Sequence, residues 1–329
     1  MRNRLIRIAC ILLFLPPLLA AVAGWVVAPA YLHPMRRELT PDLTREADLT
    51  FKRSSAHRED LEVRAPDGVL LRGWKVRPRE PNGAWVLLFH GVADNRTGMI
   101  GQADLLLQAG YSVVMMDARA HGQSEGRMAT YGWLERQDTR SIVDALLASE
   151  HIPATASKFH LFALGESMGA GIALQSAAVE PRIEAVVAEA SFANLREATY
   201  DYAGLRKLPL LGKTVFRPFT WTLLYRGSEL AGFSTEGVSP ERSVAERAFP
   251  VLLICDEKDE ALPCRHTQAI FAAARGPKQL WLVPGAYHTA ALGFEPDEFR
   301  SRVLRFYADQ TARVDALKAS AVSATATNQ

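Results

Sequence analysis

Short, almost wholly apolar segments alternate with segments of helical period along most of this chain. Leu61 to Pro66 and Val69 to Val76, divided by Asp67-Gly68, read as a hairpin. Ala84 to Phe89, Tyr111 to Met116, Lys158 to Leu164, Ile183 to Glu189, Pro250 to Cys255 and Gln279 to Val283 read as strands. Between and after them, Thr97 to Ala109, Asp138 to Ser149, Met168 to Val179, His266 to Ala274 and Asp297 to Ala308 read as helices. Apolar strands separated by helices predict an α/β fold: a mostly parallel, doubly wound sheet covered on both faces. One domain over residues 60–312 accommodates the whole alternation. It is interrupted from about Ser191 to Ala248, too far for an ordinary loop. That insertion holds Tyr200, Tyr202, Phe216, Phe219, Trp221 and Tyr225, and reads as a helical cap over the carboxyl edge of the sheet.

The flanks have a different character. Arg2, Arg4 and Arg7 precede an uncharged run from Ile8 to Leu32. As a helix that run reaches about 37 Å, enough to cross a hydrocarbon core of roughly 30 Å. Trp25 and Tyr31 sit near its far end, where amphipathic rings favour the interface, and the leading arginines favour a cytoplasmic N-terminus. Arg36 and Arg37 weaken that charge bias. Residues 1–36 therefore read as a transmembrane anchor, with the catalytic domain beyond the membrane. Ala21-Val22-Ala23 and Ala28-Pro29-Ala30 also fit the small-residue pattern of a cleaved signal peptide. Residues 37–59 are charged and unpatterned and read as a linker. Residues 313–329, rich in Ala, Ser and Thr, read as a disordered tail.

A formal charge of +2 and the lack of a basic stripe argue against a nucleic-acid partner. Cys10, Cys255 and Cys264 show no metal-ligand spacing with the histidines, so neither a metal nor another cofactor is expected. Cys255 and Cys264 read as two separately buried small residues, with pairing in an oxidising compartment as the alternative.

Two stretches match G-x-S-x-G: Gly122-Gln-Ser124-Glu-Gly126 and Gly165-Glu-Ser167-Met-Gly169. The motif needs a strand that runs straight into a tight turn and then a helix, so that the serine sits on an exposed elbow. Ser167 has that setting. Ser124 follows its strand at a distance and leads into no helix, so it reads as a loop residue. A serine hydroxyl needs a base, and the base needs an orienting acid. His288 stands on the Pro284-Gly285 turn after one late strand, and Asp259 in the acidic loop after another. Asp256 and Glu260 are the rival acids. The oxyanion needs fixed donors, and the backbone N–H groups of Met168 and Val92 are placed to supply them. His90 reads as a structural hydrogen-bonder.

His90-Gly91, the segment Asp117 to Gly126, Gly165 to Gly169, Asp259 and His288 together resemble the α/β-hydrolases, most closely a serine-aminopeptidase-like branch of membrane-anchored hydrolases. The resemblance covers about residues 60 to 310. It implies the α/β-hydrolase fold and a Ser167–His288–Asp259 triad. Ala120 departs from the Gly usual at its position, and Asp256 stands where many members have Gly. The expected activity is hydrolysis of a small-molecule carboxylic ester or thioester through an acyl-Ser167 intermediate, as in an esterase or lipase. A peptidase with the same triad and a non-catalytic, membrane-tethered binding module are the alternatives. The apolar content of the cap, Leu208 to Leu211, Phe216 and Trp221 to Tyr225, predicts a pocket for medium acyl chains.

Overall fold

A computed structural model describes residues 2–153 and 159–326. Its centre is an eight-stranded sheet. The strands are β1 (His57–Arg64), β2 (Leu70–Arg77), β3 (Ala84–Phe89), β4 (Ser112–Met116), β5 (His160–Glu166), β6 (Ala185–Glu189), β7 (Val251–Asp256) and β8 (Lys278–Val283). Their spatial order is β1-β2-β4-β3-β5-β6-β7-β8. The β1–β2 and β2–β4 pairs are antiparallel and every later pair is parallel. Lys158, the first residue expected in the central strand, lies outside the described residues.

Alternation along the strands explains the two-sided burial. Val86 and Leu88 of β3 face one apolar cluster with Trp74, Phe162, Phe299 and Tyr307. Trp85 and Leu87 face the other, with Leu146, Leu161 and Leu174. Helices cover both faces of the sheet and build the flanking parts; in chain order they are α1 (Arg2–Leu32), α2 (Pro41–Arg53), α3 (Ile100–Gln108), α4 (Glu135–Ser149), α5 (Met168–Val179), α6 (Leu195–Tyr202), α7 (Pro209–Gly212), α8 (Arg217–Ala231), α9 (Pro240–Glu246), α10 (Arg265–Ala273), α11 (Ala291–Phe294) and α12 (Pro296–Ala326). The insertion between β6 and β7 is helical, built from α6 to α9.

Several expectations are corrected. The stretch expected as a linker contains α2, whose start is set by the Thr40 hydroxyl accepting from the Leu43 N–H at 3.2 Å with Pro41 in the first turn. Ala47, Thr50 and Phe51 form its buried stripe, and Phe51 meets Trp74 edge-on at 6.1 Å. The expected disordered tail is helical as far as Ala326, because an Ala-rich sequence continues α12 without a breaker. Asp315 ties that extension to His160 at 3.2 Å. Residues 327–329 of the expected tail lie outside the described residues. Cys255 and Cys264 are not separate: they form a disulfide with Cα atoms 5.4 Å apart. The cap's apolar side chains are also turned differently from expectation. Leu208, Leu210, Leu211, Trp221 and Tyr225 are exposed to solvent.

The cap is fastened at two places. His266 of α10 meets Asp201 of α6 at 2.6 Å, with Arg206 and Arg265 on the other carboxylate oxygen. On the opposite side α1 lies along α8. Ala28 and Leu32 are buried there with Leu223, Leu224 and Phe233. Arg36 then donates to the Ser124 and Gly126 carbonyls, at 2.7 and 2.5 Å.

Candidate active site

Strand β5 delivers Ser167 at its carboxyl end and α5 leaves at once from Met168. The turn between them has room for no side chain at its flanks. A Cβ on Gly169 would lie 2.1 Å from the Phe89 carbonyl oxygen, and one on Gly165 would lie 2.4 Å from that of Gly169. Ser167 itself is held at φ 53°, ψ −120°. For a residue with a Cβ this region costs on the order of 1–3 kcal/mol. The surroundings enforce it: the Ser167 N–H donates to the Glu189 carbonyl at 2.9 Å, and the Ser167 carbonyl accepts from Gly171 at 3.2 Å.

The later strands bring the partners. His288 Nε2 lies 2.8 Å from Ser167 Oγ, and His288 Nδ1 lies 2.5 Å from Asp259 Oδ2. Asp259 is fixed in turn by the Ala261 and Leu262 N–H groups, which donate to Oδ1 at 2.8 and 2.9 Å. Of the rival acids, Glu260 is exposed and paired with Lys207, and Asp256 accepts from the Thr289 N–H at 2.9 Å instead of meeting the imidazole. The disulfide clasps this acidic loop from the end of β7 to the start of α10.

The loop after β3 reaches the elbow because β3 and β5 pair in register, Phe89 opposite Gly165. A Cβ on Gly91 would stand 3.7 Å from Ser167 Cβ, so the loop carrying Val92 passes close to Ser167. Among the described residues neither the Val92 nor the Met168 N–H has a recorded acceptor. His90 is buried and holds two loops together. Its Nδ1 meets the Gly91 carbonyl at 2.7 Å, and its Nε2 accepts from the Ala118 N–H at 3.0 Å. Burial pushes its imidazole below the usual range, in keeping with that neutral role. Ser124 is also buried, donating to the Asp117 carbonyl at 2.7 Å and accepting from the Arg72 N–H at 2.8 Å. Among the described residues no group of three His, Cys, Asp or Glu side chains is arranged to hold a metal.

Sequence reasoning missed the surroundings of Glu166 and Glu189. Glu166, beside the nucleophile, is pushed up to about 7, first by burial and then by the charge of Asp94. Glu189 and Asp256 form a buried carboxyl pair at the ends of β6 and β7. Glu189 Oε1 accepts from the Ala291 N–H and Asp256 Oδ2 from that of Thr289, both at 2.9 Å, so the pair braces the backbone just after His288. Among the described residues Glu189 Oε2 and Asp256 Oδ1 meet no other donor, and a proton retained by the raised Glu189 carboxyl and shared with Asp256 would satisfy both. Burial raises both groups; the charge of Asp256 adds to the rise at Glu189, and that of Asp259 to the rise at Asp256.

A raised carboxyl pKa makes the folded state hold a proton that the unfolded state has lost. Stability is then lost as pH rises from the ordinary carboxyl range through the raised one. Glu189→Gln replaces the shared proton by an amide N–H and is expected to flatten this loss. Melting temperatures of both proteins from pH 5 to pH 9 check it, and parallel curves would refute the shared proton.

Residues 80–235 match the family model described as serine aminopeptidase, S33. The uncharacterized protein YqkD of Bacillus subtilis is 28% identical over 243 residues, 73% of this chain and 75% of its own. YfhR of Escherichia coli K12 is 25% identical over 256 residues, 75% of this chain and 80% of its own. The Pyrococcus furiosus esterase Pf2001 has a similar structure, with a TM-score of 0.65 at 23% identity, covering 85% of this chain and all of that one. The chain has the α/β-hydrolase fold, and over residues 80–235 it resembles the serine aminopeptidase family. It is a hydrolase.

Proposed function

We propose that this hydrolase cleaves carboxylic esters or thioesters of small-molecule acyl substrates through an acyl-Ser167 intermediate. The observation that supports this most is the unbroken chain of hydrogen bonds from Ser167 through His288 to Asp259. His288 takes the Ser167 proton as Oγ attacks the acyl carbon. Asp259 holds the imidazole in the required tautomer and stabilises its charged form. The Met168 and Val92 N–H groups receive the oxyanion. Collapse expels the alcohol or thiol with the proton from His288, and water then releases the acid by the same route.

The α1 helix serves as an uncleaved anchor with the catalytic domain outside the cytoplasm. It is long and apolar enough to span a membrane. Cleavage after Ala30 would remove Ala28 from its buried seat on the cap, and cleavage after either Ala23 or Ala30 would take away the Ala21 carbonyl that the Thr222 hydroxyl meets. The Cys255–Cys264 disulfide fits an oxidising compartment.

The second reading, a peptidase with the same triad, draws on the family model's description and on similarity to an acylaminoacyl peptidase from Pyrococcus horikoshii. That structure has a TM-score of 0.57 at 16% identity, covering 77% of this chain and 41% of that one. A panel of p-nitrophenyl esters run beside aminoacyl-anilides decides between them. Higher kcat/KM on the esters is expected, and faster cleavage of the anilides would overturn the ester reading.

A further inference from the structure

We propose that the outer face of the cap, α7 with the first half of α8, rests on the surface of an anionic lipid bilayer. This goes beyond the anchoring role of α1 and rests on it. Residues 203–226 carry Arg206, Lys207, Lys213, Arg217 and Arg226 and no carboxylate. The same segment exposes large apolar side chains, Leu210 at 78% and Trp221 at 66%. Basic residues interleaved with exposed leucine and aromatic rings are the composition of a segment that lies in a headgroup layer. A cleft of about 840 Å³ opens beside Trp221, and Arg196, Lys213, Arg217 and Arg242 line it along with Glu197 and Glu236. Its cationic excess suits a phosphate-bearing headgroup.

Position selects the occupant. The cap face is continuous with the anchor, because α8 packs on α1 at the depth where that helix leaves the hydrocarbon. From Arg7 to Trp25 an α-helix rises about 27 Å, close to the thickness of a bilayer core. At that level the Thr222 hydroxyl donates to the Ala21 carbonyl at 2.7 Å, and Gly24 admits the α8 backbone so closely that a Cβ would fall 2.1 Å from the Phe219 carbonyl. Trp25, Tyr225 and Trp221 stack in series, with centroids 6.5 and 5.7 Å apart. Three amphipathic rings from two helices thus form one belt at the interface. A cap seated there presents the cleft to molecules within the lipid layer.

The test uses the full chain with Cys10→Ser, so that the introduced cysteine is the free thiol that takes the label while Cys255 and Cys264 stay paired, reconstituted into phosphatidylcholine vesicles with or without phosphatidylserine. An NBD fluorophore is placed at Leu210→Cys or, as a control at the amino edge of the sheet, at Glu80→Cys. Quenching by lipids carrying a doxyl group near the headgroup is expected to be several-fold stronger at position 210 than at 80. It is expected to strengthen with phosphatidylserine and to lose that gain in Lys213→Glu/Arg217→Glu. Equal, weak quenching at both positions in protein that floats with the vesicles overturns the docking and leaves the anchor standing. Self-quenching at 210 without lipid quenching assigns the face to a second copy and overturns it too. Quenching indifferent to phosphatidylserine overturns the choice of anionic lipid. Protein that does not float overturns the anchor and the docking together.

Discussion

Ser167→Ala is expected to reduce ester hydrolysis by about 10⁶-fold and to abolish labelling by a fluorophosphonate probe. The size of the effect follows from the mechanism. With no hydroxyl on the elbow, His288 has nothing to activate, and only the oxyanion donors and the binding cleft are left. Ser124→Ala is the informative partner, since it sits in the other G-x-S-x-G stretch. Its hydroxyl is spent on the Asp117 carbonyl and the Arg72 N–H, so its loss costs on the order of 1–3 kcal/mol of stability and leaves labelling intact. Labelling that survives Ser167→Ala and disappears with Ser124→Ala would overturn the assignment.

Asp259→Asn is expected to lower kcat by about 10⁴-fold, because an amide facing Nδ1 favours the wrong tautomer of His288. Asp256→Asn is the contrasting change. Asp256 meets the Thr289 N–H and Glu189, not the imidazole, and an asparagine can serve both contacts. Its effect on kcat is expected to stay within about tenfold, since no interaction made only in the transition state is removed. Steady-state kinetics of the two variants at one pH decide the point. A larger loss from Asp256→Asn would move the acid to that residue.

What could be read in the sequence was local. The elbow is a strand, a turn and a helix in immediate succession, and α5 runs from Met168 to Val179 as its pattern predicts. The candidate acid and base each follow an apolar strand within a few residues. The sequence alone does not separate Asp259 from Asp256 and Glu260, because three acids share one loop and only their partners in the folded chain tell them apart. The Glu189–Asp256 brace was hidden for a plainer reason. Its two residues end different strands, and nothing in either strand's pattern records that the strands are neighbours. Thr40-Pro41-Asp42 did carry a helix-start signal for α2, which the surrounding charges obscured. The packing of α1 on α8 joins residues some two hundred positions apart, and no short-range period reports such a contact.

The disulfide bears on how the acid is held ready. Cys255 closes β7 and Cys264 stands at the start of α10, a separation of nine positions with Asp259 between them. In the chain-entropy account, closing so short a ring removes roughly 2.5–3 kcal/mol of conformational freedom from the unfolded ensemble. The carboxylate therefore meets His288 with few backbone conformations left to surrender, and its orientation is a property of the resting enzyme before any substrate arrives. A reduced form would have to fix the same loop through the two N–H bonds to Asp259, the backbone bonds of Glu257, Lys258 and Asp259, and the packing of Leu262.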